Sequence, residues 1–182
     1  MQRKRVIKVK GKTFSLLASE RSLKREIKRV AAQINQDYEG KEPVFLSVLN
    51  GSFIFASDLL REIDLPCEIS FVKLASYSGM STTGEVRELM GLDIDIAGRP
   101  VIIVEDIVDT GLTMLHLLET LELQKPESIE ICTLLSKPSK LQVELDMRYV
   151  CKQIPDDFVV GYGLDYDGFG RNTKDLYTIN KQ

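Results

Sequence analysis

The sequence has few of the residues on which several common chemistries depend. Its 182 residues include no tryptophan, one histidine and three cysteines. Cys67, Cys132 and Cys151 form no C-x-x-C pair, which argues against a zinc site or a redox motif. Each lies in or beside an apolar run, so we expect three small buried side chains in a reducing compartment.

The single histidine is expected on a solvent-facing helix surface. Helical spacing places His116 away from the apolar face of its segment, which comprises Met114, Leu117, Leu118 and Leu121. A catalytic triad or a multi-histidine metal site is therefore disfavoured. Catalysis by this chain would depend on carboxylates, lysine or a bound metal ion.

The sequence also lacks an excess of positive charge and any long apolar run. Its formal net charge is −3, so no overall field would attract nucleic acid by counterion release. The basic segment MQRKRVIKVKGK is expected to be a solvated or frayed terminus, without the apolar region of a signal peptide. No window approaches the roughly 18 apolar residues of a membrane span. We expect a cytoplasmic protein that binds neither nucleic acid nor a membrane.

The hydrophobic pattern predicts a single α/β domain over residues 1–182. Ser19 and Gly40 bound an amphipathic helix, and further helices are predicted over about 54–63 and from about Thr113. Buried strands are predicted in PVFLSVL, CEISFVKLAS, RPVIIVED, SIEICTLLS, RYVCKQI and DFVVGYGLDY. Strands that alternate with helices imply a mainly parallel central sheet flanked by helices.

A polar segment interrupts this pattern between two apolar strands. YSGMSTTGEVRELMG is rich in serine, threonine and glycine and has no sustained period, which is typical of mobile loops. We predict that residues from Ser76 to about Arg87 form a lid. It would close over a bound ligand and keep water from the reacting atoms.

Acidic and hydroxyl-bearing residues follow the strand VIIV, where ligands of parallel α/β sheets usually bind. The carboxylates of Glu105, Asp106 and Asp109 lie within five positions. They would repel one another unless a cation, a hydroxyl-rich ligand or water interacted with them. The next residues, Asp-Thr-Gly-Leu-Thr, open a helix whose free N–H groups favour a phosphate. This pairing suits a ribose 5-phosphate; an acidic N-cap cluster is the structural alternative.

Three competing motifs fit the sequence poorly. The chain contains no G-K-[ST], so a P-loop is absent. GYGLDY has Tyr166 where a dinucleotide fingerprint needs its third glycine. DYDGFGRNTKDL has Phe169 and Leu176 in place of two ligands of a calcium loop.

VIIVEDIVDTGLT resembles the phosphoribosyl pyrophosphate signature of type I phosphoribosyltransferases, and its E-D-I-V-D-T-G form is similar to hypoxanthine-guanine phosphoribosyltransferases. SVLNGSFIFASDL, the SY of KLASYSG, LLSKPSK and DFVVGYGLDYDGFGRN extend the resemblance, in the family's order, over nearly the whole chain. It implies transfer of 5-phosphoribosyl from 5-phosphoribosyl 1-pyrophosphate to hypoxanthine or guanine in purine salvage, with Mg²⁺ as cofactor. It further implies a small hood formed by terminal segments and a homodimer or homotetramer.

The resemblance also implies a role for each residue that would contact the purine. Asp109 would face N7 of the base as the acid or base of the reaction. Lys137 would donate a hydrogen bond to the 6-oxo group, although the sequence alone favours a solvated lysine at this position. Phe158 would stack on the base and Val159 would meet its edge through backbone groups, where the pattern alone indicates core strand residues.

The other implied roles concern the phosphoribosyl donor. Glu105 and Asp106 would hold the ribose hydroxyls directly or through magnesium, Asp165 a second magnesium ion and Arg171 the pyrophosphate. The remaining assignments are Thr110, Gly111, Leu112 and Thr113 for the 5-phosphate, Leu49, Asn50 and Gly51 for a pyrophosphate loop whose first peptide is often cis in the family, and Ser76 and Tyr77 for the start of the lid.

The sequence departs from the family pattern at Asn50 and Leu112, where members often carry lysine. Loss of charge at Asn50 would leave pyrophosphate binding more dependent on Arg171, backbone amides and magnesium. Two alternatives are a non-enzymatic regulator that senses the donor or nucleotides, and transfer to a pyrimidine. The regulator is disfavoured because Asp109 and Lys137 are present and no helix-turn-helix or broad basic surface is evident.

Overall fold

The computed structural model describes residues 5–76 and 86–180 and contains two sheets. Its elements in chain order are β1 (Val6–Val9), β2 (Lys12–Ala18), α1 (Glu20–Asp37), β3 (Val44–Leu49), α2 (Phe53–Leu60), β4 (Glu68–Ser76), β5 (Val86–Met90), β6 (Pro100–Val108), α3 (Leu112–Glu122), β7 (Ser128–Ser136), a 3₁₀ turn (Pro138–Lys140), β8 (Tyr149–Gln153), β9 (Val159–Val160) and β10 (Leu176–Ile179).

The central sheet has the order β5-β4-β3-β6-β7-β8. Strands β4, β3, β6, β7 and β8 are parallel, and β5 pairs antiparallel with β4 at one edge. This confirms the predicted α/β class with a mainly parallel sheet. The run VIIV in β6 is buried on both faces: Ile102 and Val104 pack with the core that includes α1 and α2, and Val101 and Ile103 pack with the core that includes α3.

The helices follow the predicted patterns closely. Ser19 caps α1 by accepting a hydrogen bond at Oγ from the Ser22 N–H at 3.2 Å, and the buried face of α1 repeats at helical spacing. Helix α3 buries Met114, Leu117 and Leu121 and leaves His116 exposed, as expected. Helix α2 ends at Leu60, three residues before its predicted end. No helix in the described residues is long and apolar enough to cross a membrane.

A second, antiparallel sheet of order β1-β2-β10-β9 forms the predicted hood. The prediction that the basic N-terminal segment is frayed or merely solvated was wrong for Val6–Val9, which pairs with β2. Val9 and Phe14 pack there against Val160 and Tyr177 in a small core of their own. The lysines of this hairpin alternate with apolar residues that face that core, and this explains why composition alone was misleading.

Two further expectations need correction. DFVVGYGLDY is not one long strand of the central sheet, because only Val159–Val160 is extended and it pairs with β10 in the hood. Positive φ angles at Gly161, Tyr162 and Gly163 end the strand. Cys132 and Cys151 are buried as expected, but Cys67 is exposed where the chain enters β4.

Candidate active site

Three loops at the carboxyl ends of neighbouring parallel strands form the centre of the site. Strand β3 leads into Asn50 and Gly51, β6 into Asp109, and β7 into Lys137. Because β6 lies between β3 and β7, these loops share one edge of the sheet. The structure therefore brings together residues that are up to 88 positions apart, between Leu49 and Lys137.

The segment from Asp109 to Thr113 forms the turn that begins α3. Gly111 has a φ of 83°, a left-handed conformation that favours glycine, and its carbonyl accepts the first helical hydrogen bond from the Leu115 N–H at 2.9 Å. A cavity of about 100 Å³ is lined here by residues that include Glu105, Asp109, Thr110, Gly111 and Thr113. The free N–H groups of this turn and the threonine hydroxyls make the cavity suited to an anion such as a phosphate.

The carboxylates of Glu105 and Asp106 lie side by side and half-buried at the end of β6. Oε1 of Glu105 accepts from the Asp106 N–H at 3.0 Å, and Oδ1 of Asp106 accepts from the Ile107 N–H at 2.8 Å. Burial raises the pKa of both groups, and the Asp106 charge raises the pKa of Glu105 further. A cation or a set of hydroxyl donors at this point would stabilise both ionised groups.

The loop at the end of β3 packs directly against these carboxylates. The Leu49–Asn50 peptide is cis. A Cβ on Gly51 would lie closer than 3.0 Å to the Asp106 carboxylate, and a Cβ on Gly163 would overlap the Gly51 carbonyl oxygen. Glycine at both positions allows the loop to lie between the end of β6 and the turn that follows β9.

Asp165 and Arg171 form an ion pair beside this loop. Nη2 of Arg171 is 2.6 Å from Oδ1 of Asp165, and its Nη1 donates to the Gly163 carbonyl at 2.7 Å. Oδ2 of Asp165 accepts from the Gly168 N–H at 2.7 Å. The residue predicted to bind pyrophosphate and the residue predicted to hold a second metal ion are thus in direct contact.

The carboxylates fit a magnesium ion that arrives with a phosphorylated ligand rather than a metal centre made by the protein alone. Over residues 5–76 and 86–180, no group of three or more histidine, cysteine or acidic side chains is arranged to hold a metal ion. Magnesium is commonly bound by one or two carboxylates together with substrate phosphates and water. The raised pKa values of Glu105 and Asp106 are consistent with a pair that a cation would stabilise.

Asp109 belongs to a cluster of two lysines and two aspartates. Nζ of buried Lys137 is 3.4 Å from Oδ2 of Asp109 and 3.4 Å from Oδ1 of Asp156. Nζ of Lys140 is 3.1 Å from Oδ2 of Asp109 and 3.3 Å from Oδ1 of Asp156. Sequence reasoning missed Lys140 and Asp156; their only signal was that each lies within three residues of an assigned residue, Lys137 or Phe158.

Phe158 precedes strand β9 of the hood and lies two positions after Asp156 of the cluster. The ring of Phe158 is 45% exposed and meets Tyr166 edge-on, with centroids 5.6 Å apart. Its open face is available for stacking on a planar ligand. Val159 is buried in β9, so it could meet a ligand only through its backbone. Of the lid predicted from Ser76 to about Arg87, residues 77–85, including Tyr77, lie outside the described residues, and only the backbone of Ser76 is described.

Comparison with known proteins identifies relatives of this chain. Residues 15–167 match the model of the phosphoribosyl transferase domain. The chain is 46% identical over 157 residues to the hypoxanthine phosphoribosyltransferase of Salmonella typhimurium, covering 85% of this chain and 88% of that protein. It is 38% identical to the hypoxanthine-guanine phosphoribosyltransferase of Aquifex aeolicus over 94% of this chain and 97% of that one. The crystal structure of a hypoxanthine-guanine phosphoribosyltransferase from Bacillus anthracis matches with a TM-score of 0.88 and 42% identity, covering 91% of this chain and 98% of that one.

Proposed function

Because the chain belongs to the phosphoribosyl transferase family, we propose that it transfers the 5-phosphoribosyl group of 5-phosphoribosyl 1-pyrophosphate to hypoxanthine or guanine. The products are IMP or GMP and pyrophosphate, in purine salvage. The observation that carries this proposal is one juxtaposition at the sheet edge. The carboxylates of Glu105 and Asp106 and the turn that begins α3 lie beside Asp109, whose Oδ2 is 3.4 Å from Nζ of Lys137 at the end of β7.

The donor is proposed to bind along the residues that follow β6 and β3. The turn from Thr110 to Thr113 holds the 5-phosphate with backbone N–H groups and hydroxyls. Glu105 and Asp106 accept hydrogen bonds from the ribose hydroxyls, and the loop at Gly51 lies where the pyrophosphate would leave. Glu105, Asp106 and Asp165 would hold magnesium, which neutralises charge on the leaving pyrophosphate when it is bound.

The transfer forms one bond and breaks another at the anomeric carbon of the donor. N9 of the purine attacks that carbon, the bond to the pyrophosphate oxygen breaks, and the proton on N7 passes to the carboxylate of Asp109. Backbone dipoles and the carboxylates of Glu105 and Asp106 stabilise the positive charge that develops on the ribose. Asp109 returns the proton to solvent after the products leave.

Lys137 is proposed to select the purine. Its ammonium group is buried and can donate to the 6-oxo oxygen of hypoxanthine or guanine. Adenine carries a 6-amino group there, which would place a donor against a donor in a buried position. The assay is turnover of hypoxanthine, guanine, adenine and a pyrimidine with the donor and magnesium. We expect adenine and the pyrimidine to react at least about 10³-fold more slowly.

The controls for this assay address the alternatives directly. Lys137→Met should reduce the preference for hypoxanthine over adenine while the variant stays folded. Equal rates with adenine would refute the assignment of Lys137. A protein that binds the donor but turns over none of the bases would be a regulator rather than an enzyme.

We propose that the enzyme is one folded unit over residues 1–182, acts in the cytoplasm and forms a homodimer or homotetramer. Phe53, Ile69 and Phe71 are 44%, 39% and 38% exposed. Ile69 pairs with Phe45, whose side chain packs in the core of α1 and α2, so Ile69 and Phe71 share that face of the sheet. Burial of this apolar surface against a second copy would remove it from water.

Light scattering with size-exclusion chromatography tests this interface. Phe71→Glu should shift the protein to monomers, while Leu123→Glu, at an 82% exposed leucine on another element, should leave the assembly intact. A monomeric wild-type protein would contradict the proposal.

A further inference from the structure

Lys140 lies beside the proposed proton acceptor at the end of the 3₁₀ turn Pro138–Lys140. From its contacts we propose that Lys140 is a positioning residue, which holds the carboxylate of Asp109 in the orientation that accepts the proton of N7 of the purine. This inference rests on the proposed function, and it goes beyond the roles implied for Asp109 and Lys137. Its contacts with Asp109 and Asp156, at 3.1 and 3.3 Å, are the shortest among the four lysine–aspartate contacts of the cluster.

The two oxygens of Asp109 have different surroundings. Oδ2 is within 3.4 Å of both lysines. Oδ1 is buried, and no donor in the part of the chain that the structure describes reaches it. Asp109 lines the cavity at the start of α3 and its side chain is 37% exposed, so Oδ2 is the oxygen that a ligand can reach. The N–H at N7 of a purine is a suitable donor to this oxygen.

The two lysines are suited to different tasks. Lys137 is buried and, in the proposed complex, donates a hydrogen bond to the 6-oxo oxygen of the base. That leaves Lys140 as the contact that stays with Oδ2 while the purine is bound. Its backbone is fixed by Pro138 and by a hydrogen bond from its N–H to the Lys137 carbonyl at 3.0 Å.

Asp156 holds Lys140 from the other side. Oδ1 of Asp156 is 3.3 Å from Nζ of Lys140, and the Asp156 side chain is half exposed, at the rim of the cluster. The ammonium group is therefore shared between two carboxylates and cannot swing into solvent without losing both contacts. The hydrogen bond with Asp109 also raises the pKa of Lys140.

Kinetics of three variants test the role of Lys140. For Lys140→Met we expect kcat with hypoxanthine to fall about 10- to 100-fold, because the proton-accepting oxygen loses its orientation, and KM for the donor to change less than about threefold. Lys140→Arg should recover kcat to within about threefold, since a guanidinium can donate to both carboxylates. Lys41→Met removes a similarly exposed lysine that pairs with Glu127 away from the site, and it should change neither parameter.

A merely structural role predicts a different pattern. It would lower the melting temperature of Lys140→Met well below that of Lys41→Met, or change kcat and KM together. Either pattern would overturn the proposal, as would a kcat for Lys140→Met equal to that of Lys41→Met, or a Lys140→Arg variant as slow as Lys140→Met.

A second measurement does not depend on turnover. The rate of acylation of Lys140 by an amine-reactive reagent, followed by peptide mass spectrometry, should rise at least about threefold in Asp109→Asn, because loss of the carboxylate lowers the pKa of the amine. Labelling of Lys41 in the same sample is the internal control. An unchanged rate at Lys140 would overturn the contact. A wild-type protein without turnover would instead overturn the proposed function, and labelling would still decide whether Lys140 is held by Asp109.

Discussion

Replacing Gly51 with alanine should impair donor binding while the chain stays folded. Gly51 has no positive φ, so an alanine can adopt its backbone conformation. The added Cβ, however, would lie closer than 3.0 Å to Oδ2 and Cγ of Asp106. Oδ1 of Asp106 is already bound to the Ile107 N–H at 2.8 Å. The carboxylate would therefore have to rotate away from the position proposed for the ribose and give up this hydrogen bond.

The structure sets the size of the expected effect. A hydrogen bond from a ribose hydroxyl to the charged Asp106 carboxylate would contribute about 1.5–3 kcal/mol, so its loss should weaken donor binding roughly 10- to 150-fold. The overlap itself should lower the free energy of unfolding by about 1–3 kcal/mol, as for other overpacked sites. Donor affinity is measured by titration calorimetry with magnesium, and stability by urea denaturation.

A double-mutant cycle with Asp106→Ala isolates the cause. If Gly51→Ala acts by displacing the Asp106 carboxylate, the double variant should bind the donor no more weakly than Asp106→Ala alone. The stability cost of Gly51→Ala should also fall below about 0.5 kcal/mol in that background, because no carboxylate remains to be displaced. Additive losses of affinity, or a Gly51→Ala variant within twofold of wild type, would refute the reasoning.

Three other predictions address the base, the backbone and the thiols. Asp109→Asn should lower kcat by about 10² or more and leave donor binding nearly unchanged in single-turnover and titration experiments; near-normal chemistry would exclude it as the proton acceptor. Gly163→Ala and Gly168→Ala both place alanine at a positive φ, of 103° and 80°, but only the first adds an overlap with a backbone oxygen. The first should cost about 2–5 kcal/mol in urea denaturation and the second about 1–2, and equal costs would contradict this account. Iodoacetamide should modify only Cys67 in the native protein, since burial raises the pKa of Cys151 to about 12, and rapid native labelling of Cys151 would show that it is not buried.

The parallel sheet and the edge that carries the site could be predicted because their signals are local. The run VIIV has four consecutive β-branched residues and is followed at once by Glu105 and Asp106. This pattern is typical of a strand that is buried on both faces and ends at a polar edge. The turn at Gly111 and the helix after it follow from neighbouring residues. In each case a window of about ten residues contained the physical cause.

The hood and the lysine–aspartate cluster depend on contacts between distant residues. Val6–Val9 forms a strand only because Lys12–Ala18 and Leu176–Ile179 complete its sheet. Lys140 and Asp156 are 16 positions apart, and nothing in either segment indicates that they meet. The exposure of Cys67 could not be predicted for a similar reason, because an apolar run does not show which of its faces other elements cover. Ile69, two residues after Cys67, is exposed as well.

The pairing of β2 with β10 sets an order of events during synthesis. Strand β2 leaves the ribosome early, but β10 follows about 160 residues later, with Phe14 pairing with Ile179. All strands of the central sheet are synthesised between β2 and β10. The central sheet can therefore fold while one edge of β2 is still unpaired. We therefore expect the hood to form last and to fix the backbone of Phe158, whose carbonyl accepts a hydrogen bond from the Ile179 N–H at 2.9 Å. We expect an unfinished chain to contain the proposed donor-binding edge of the sheet without Phe158, the residue proposed to stack on the purine, so purine binding would report that synthesis had reached β10.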